Sequence, residues 1–112
     1  MNTNVMSALA EPNRMQIVDL LRERPLTVGE IAERLQLRQP QASKHLRVLS
    51  EAGIVEAQVD ANRRIYRLRP DPFRELDDWL GSYRVIWEDR FDRLDDYLQK
   101  LQGKEIRKEQ QD

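Results

Sequence analysis

The strongest constraint in the chain is the run Thr27-Val28-Gly29-Glu30. A threonine followed three residues later by glutamate has the spacing of a capping box. The hydroxyl accepts the Glu30 amide N–H, and the carboxylate reaches back to the start of the helix. Behind it, Val28, Ile31, Ala32 and Leu35 fall at i, i+3, i+4 and i+7, the stripe of a short amphipathic helix. Gln36, Leu37 and Arg38 make a tight connection. Pro40 stands where a first helical turn tolerates it, and Gly53 stops the second helix as a left-handed cap requires. Two short helices joined by three residues are the pattern of a helix-turn-helix.

After Gly53 the period changes. Residues 54–59 and 64–68 are short runs rich in branched and aromatic side chains, separated by Asp60-Ala61-Asn62-Arg63, and they predict a β-hairpin ended by Pro70 and Pro72. Upstream, Val5, Met6 and Leu9 predict a short first helix. Pro12 opens a second helix, with Met15, Val18 and Leu21 flanked by Ile17 and Leu20, and Pro25 closes it. Downstream, Phe73, Leu76, Leu80, Tyr83, Trp87, Phe91, Leu94, Leu98 and Leu101 recur at nearly heptad spacing with one extra shift at Trp87. The fold predicted is mostly α with a small β-hairpin, a winged helix-turn-helix of order α-α-α-α-β-β-α. One domain spans 1–102, with the helix-turn-helix at 28–52, the wing at 54–69 and a long dimerisation helix at 72–102. A flexible charged tail follows at 103–112.

Composition narrows the chemistry. A chain of 112 residues has the size of one domain. No apolar run is long enough to span a bilayer, and residues 1–10 lack the charged and apolar regions of a secretory signal, so a cytoplasmic protein without a membrane partner is expected. The absence of cysteine excludes a disulfide framework, thiolate metal sites and cysteine nucleophiles. The single histidine, His45, has no companion ligands, and Ser43 has no general base beyond that histidine on the same helix. No enzyme, cofactor or metal is expected. Asp77-Asp78 and Asp95-Asp96 read as solvated surface, because adjacent side chains on a helix do not face each other. Trp79, Trp87 and Phe91 read as core and dimer packing rather than an inducer pocket, and a long amphipathic helix needs something to lie against.

The net charge of −1 conceals a division. Residues 34–69 carry eight basic side chains against three acids, and residues 71–112 eight against twelve. Concentrated positive charge in the middle attracts a polyanion whatever the total. At 100° per residue, Ala42, Leu46 and Leu49 turn inward on the helix after the turn, while Lys44 and Arg47 turn outward with Gln41 beside them and His45 on the flank. Glutamine can read adenine in the major groove, and lysine or arginine can read guanine or hold a phosphate. Arg63 and Arg64 on the hairpin can reach the flanking backbone or minor groove; blunting a sheet edge is their plainer use.

Ala10-Glu11-Pro12-Asn13-Arg14, the run Gln39 to Leu49 containing Ser43-Lys44-His45-Leu46, Glu51-Ala52-Gly53-Ile54-Val55, and Arg64-Ile65-Tyr66-Arg67-Leu68 together resemble the ArsR/SmtB-type winged-helix repressors. The likeness covers residues 5–70. The last helix, with Trp79 and Trp87, is similar to a branch lacking metal ligands. The resemblance implies a homodimer joined through its first and last helices, here Val5, Met6, Leu9, Leu76, Leu80, Tyr83, Trp87, Phe91 and Leu94. It implies a palindromic operator on double-stranded DNA, often overlapping the repressor's own promoter, with Gln39, Gln41, Ser43, Lys44 and His45 facing DNA. Thr27, Val28 and Gly29 stand in the region where thiolate sensors of the family carry cysteines, and the last helix has no histidine, so metal sensing is not expected. Arg38 replaces the usual N-cap serine. Two other readings stay open: a winged-helix module that binds protein, and a regulator answering to an unidentified inducer.

Overall fold

The computed structural model describes residues 3–110, with side chains described through residue 103. Its elements are α1 (Thr3–Leu9), α2 (Pro12–Glu23), β1 (Leu26–Thr27), α3 (Val28–Leu35), α4 (Gln39–Glu51), β2 (Val55–Asp60), β3 (Arg63–Leu68), α5 (Pro70–Gly81) and α6 (Arg84–Gln110). Residues 1–76 and 77–112 form two compact units.

The first unit has one core. Ile17, Leu21, Leu26, Ile31, Leu46, Leu49, Ile54 and Val55 are almost fully removed from solvent, joined by Val5, Ala8, Ala32 and Ala42. A fully buried side chain of this size contributes roughly 1.5–3 kcal/mol, so the predicted inner face of α4 is the anchor of the unit. On α2 the core takes Ile17 and Leu21, with Val18 and Leu20 half-buried against it. Met15, predicted on the apolar face, stays 55% exposed.

Short-range chemistry sets the helix ends. Glu11 caps α2 by accepting the Arg14 amide at 3.0 Å, and the Arg14 guanidinium donates to the Ala8 carbonyl at 2.6 Å, closing the end of α1. At α3 both halves of the capping box form: Glu30 N–H donates to Thr27 Oγ1 at 3.2 Å, and Thr27 N–H donates to Glu30 Oε1 at 3.1 Å. These bonds, led by the one from the Thr27 backbone, hold the Glu30 carboxyl below its ordinary range. The folded state thus favours the charged carboxylate. Its contribution is present above the ordinary glutamate range and is lost as pH falls through the lowered value. Thr27→Ala is expected to cost about 1 kcal/mol in urea unfolding at neutral pH, with less of that cost at acid pH where Glu30 is protonated. An unchanged midpoint would show that the box adds nothing.

The turn between α3 and α4 is held by backbone bonds. Gln36 adopts φ 56°, and Leu37 N–H returns to the Ala32 carbonyl at 2.9 Å. Gly53 repeats the device after α4 at φ 77°, with Ile54 N–H on the Leu49 carbonyl. These two left-handed residues fix where α4 begins and ends.

Two expectations are corrected. The sheet has three strands in the order β1-β3-β2, because Leu26 and Thr27 pair antiparallel with Tyr66 and Ile65. The helix predicted over 72–102 is interrupted after Gly81. There Ser82 Oγ donates to the Trp79 carbonyl at 2.6 Å and Tyr83 N–H bonds to the Leu80 carbonyl, tightening the chain out of α-helix. A poor helix former followed by a hydroxyl that competes for backbone carbonyls accounts for the break.

The second unit carries Trp79 edge-on to Tyr83, with ring centroids 5.4 Å apart. Arg84 pairs with Asp77 at 3.6 Å. Where a flexible tail is expected over 103–112, helix α6 continues through residue 110, and residues 111–112 lie outside the described residues. Among the described residues no helix is long and apolar enough to cross a membrane.

Candidate nucleic-acid interface

Burial of Ala42, Leu46 and Leu49 leaves the other face of α4 to solvent: Gln39, Gln41, Ser43, Lys44 and Arg47 are all exposed. Gln41 is partly committed, because its Oε1 accepts the Arg38 backbone N–H at 3.2 Å. This bond satisfies the Arg38 N–H, the reciprocal half of a capping box, while the Arg38 guanidinium has no acceptor to offer the first amides of α4; the Gln41 amide donors are left free of it. His45 is half-buried on the flank, its Nδ1 3.7 Å from Glu11 Oε2, turned toward the start of α2.

The wing register decides which arginines share a face with α4. Val55 pairs with Leu68, Ala57 with Tyr66 and Val59 with Arg64. Alternation therefore puts Arg64, Tyr66 and Leu68 on one side of β3 and Arg63, Ile65 and Arg67 on the other. Arg64 joins Ser43 and Arg47 around one cleft of about 450 Å³, lined also by Val28, Leu46, Ser50, Ala57 and Tyr66. Arg63 is exposed on the opposite face, across from Asp60. Ser50 and Tyr66 escape the sequence reading: Ser50 lies one turn beyond Arg47 on the same side of α4, and only the strand register brings Tyr66 to it.

Ion pairs sort the basic residues of the middle segment. Arg67 is bound by Glu56 at 2.9 Å, Arg69 lies near both Glu56 and Asp71, and Arg47 pairs with Glu51 at 3.2 Å. Among the described residues, Arg34, Arg38, Lys44, Arg63 and Arg64 have no acidic partner within bridging distance. The Arg47–Glu51 pair is exposed on both sides, and an i,i+4 pair of that kind is worth about 0.3–0.5 kcal/mol. A phosphate can displace it.

The residues expected at a dimer interface divide. Val5 belongs to the chain's own core and Leu9 packs partly against it, so of the three on α1 Met6 is the exposed one. Leu76 is half-buried. Leu80, Tyr83, Trp87, Phe91 and Leu94 are exposed, the last three by 49%, 68% and 52%, together with Leu98 and Leu101 farther along α6. No group of three or more His, Asp or Glu side chains among the described residues is placed to hold a metal ion.

A family model described as a helix-turn-helix domain matches residues 9–58, which contain α2, β1, α3 and α4 and end within β2, the first strand of the wing. The biofilm growth-associated repressor of Agrobacterium fabrum is 39% identical over 72 residues, 64% of this chain. The match spans 62% of that relative's own length, less than two thirds. The transcriptional repressor SdpR of Bacillus subtilis is 30% identical over 80 residues, covering 71% of this chain and 89% of SdpR. Among solved structures, the homodimeric winged helix-turn-helix DNA-binding domain Mb0332 of Mycobacterium bovis, from a possible ArsR-family transcriptional regulator, superposes with a TM-score of 0.62. It is 30% identical, over 74% of this chain and 80% of that one.

Proposed function

Because the chain belongs to the ArsR/SmtB family of winged helix-turn-helix transcriptional regulators, whose members are DNA-binding proteins and not enzymes, we propose that it is a transcriptional repressor. It acts as a homodimer on a palindromic operator, with its own promoter as the first candidate, and it senses no metal.

The observation that carries this reading is the outward face of α4. Among the described residues Lys44 has no acidic partner, Arg47 is held by an exposed and weak pair, and Arg64 of the wing shares a cleft with Arg47 that no carboxylate lines. A helix of this width enters the major groove, where Gln39 and the Gln41 amide can read adenine and Lys44 can read guanine or hold a phosphate. The wing then lies over the adjoining backbone. Trp87, Phe91, Leu94, Leu98 and Leu101 of α6 stand 39–68% exposed, and a second copy covers them. Repression follows from occupancy alone: a protein seated on a promoter excludes the polymerase.

Titration against the DNA immediately upstream of the chain's own coding region, at 50 and 200 mM salt, tests the reading. A dimer touching about six phosphates loses roughly a thousandfold in affinity between those two salts. Absence of binding at either salt would transfer the basic face to a protein partner.

A further inference from the structure

We infer that a polar hollow among α1, α2 and α4 binds a small zwitterion, its ammonium on Glu51 and its carboxylate on Arg14, and that this occupant raises affinity for DNA by freeing Arg47. The binding site stands without DNA; its effect on affinity rests on the DNA-binding reading above.

The hollow has a volume of about 320 Å³. Ala8, Val48 and Ala52 form its apolar lining, and Asn4, Ser7, Arg14 and Glu51 its polar one. That volume stands at the lower end for ligand pockets, which limits the occupant to a small molecule. Two opposite charges share the lining without pairing with each other. Glu51 bridges Arg47 instead, and among the described residues Arg14 has no carboxylate within bridging distance. The Arg14 guanidinium is half-buried and anchored: Nε donates to the Ala8 carbonyl at 2.6 Å and Nη2 to the Ser7 carbonyl at 3.5 Å, and neither bond uses Nη1. A simple cation in this hollow would meet the charge of Arg14, and a simple anion that of Glu51. One molecule carrying both charges satisfies both walls.

Helix α4 connects this site to the outward face. Val48 and Ala52, one turn apart, line the hollow, whereas Ser43, Arg47 and Ser50 line the cleft toward the wing. Helical geometry sets Arg47 and Glu51 on the ridge between the two, with Arg47 Nε 3.2 Å from Glu51 Oε1. An ammonium beside Glu51 competes with Arg47 for the same carboxylate and cancels its charge. Arg47 is then released to a phosphate, and the repulsion between Glu51 and DNA falls. Such coupling is reciprocal, so DNA raises affinity for the zwitterion by the same factor.

Titration of the isotope-labelled full chain by NMR with L-alanine, β-alanine and γ-aminobutyrate, which differ in charge separation, tests the site; ethylamine and acetate supply one charge each. The amides of Ser7, Ala8, Glu51 and Ala52 are expected to move together, with half-saturation at roughly millimolar for at least one zwitterion and roughly tenfold weaker for ethylamine and acetate. Glu51→Gln, and Ala52→Leu, which fills the hollow, each remove the response. In fluorescence anisotropy with the upstream duplex, a saturating zwitterion tightens wild-type binding by roughly threefold and leaves that of Glu51→Gln unchanged. No movement with any zwitterion at roughly ten times the expected half-saturation overturns the site, and so does an equal response to ethylamine or acetate. Saturation that leaves duplex affinity unchanged overturns the coupling. A chain that binds a zwitterion but no duplex supports the site and overturns the DNA reading, the coupling with it.

Discussion

Alanine at Lys44 or Arg47 weakens operator binding by roughly ten- to a hundredfold while shifting the melting temperature of the free chain by no more than about 3 °C. The separation follows from the two faces of α4. Ala42, Leu46 and Leu49 are entirely buried and carry the packing, whereas among the described residues Lys44 has no acidic partner and Arg47 makes one exposed ion pair. Truncating either outward side chain removes charge from the DNA face and nothing from the core. The two variants also differ from each other. Loss at Arg47 is uniform across sequences if it holds a phosphate, and loss at Lys44 is concentrated on the operator if it reads a base. Paired titrations on operator and scrambled duplex measure both. Wild-type affinity in both variants would remove α4 from the interface.

A glutamate at Trp87 or Leu94 has the larger consequence, because it strikes the assembly. Both side chains lie half in water on α6, within an apolar row that continues through Phe91, Leu98 and Leu101. Two copies facing each other would bury two unpaired carboxylates, at a cost of several kcal/mol each. Either variant is expected to sediment as a monomer at micromolar concentration. Its operator affinity falls by roughly a hundredfold or more, since each half-site must then be held without the other. The helix-turn-helix unit itself stays folded, because its core draws on no residue beyond Phe73. An intact dimer in the Leu94→Glu variant would remove α6 from the interface.

What the sequence made legible was whatever depends on near neighbours. The Thr27–Glu30 box, the inward triad Ala42, Leu46 and Leu49, and the stop at Gly53 each rest on bonds or periods within a single turn, and each stands where the pattern puts it. Strand β1 was hidden, since two residues have no period of their own and exist as strand through Tyr66 and Ile65, almost forty residues away. The break at Ser82 was masked because the apolar spacing runs through it unchanged. Gly81 and the Ser82 hydroxyl alone mark it. On the proposed DNA face, the outward residues of α4 were readable from helical geometry. The division of Arg63 from Arg64 was not, because it turns on a register that shifts every side chain to the other face with one residue of slip. Val5, placed at an interface by the resemblance, is buried in the chain's own core, a packing that depends on contacts with distant residues.

Hydroxyl-radical footprinting of the wild-type chain on its upstream DNA tests the central claim most directly. Two protected backbone tracts are predicted on one face of the duplex, related by dyad symmetry, their centres roughly 34–36 Å or a multiple of that apart. A single protected tract, or uniform cleavage at low salt with the chain in excess, would contradict it.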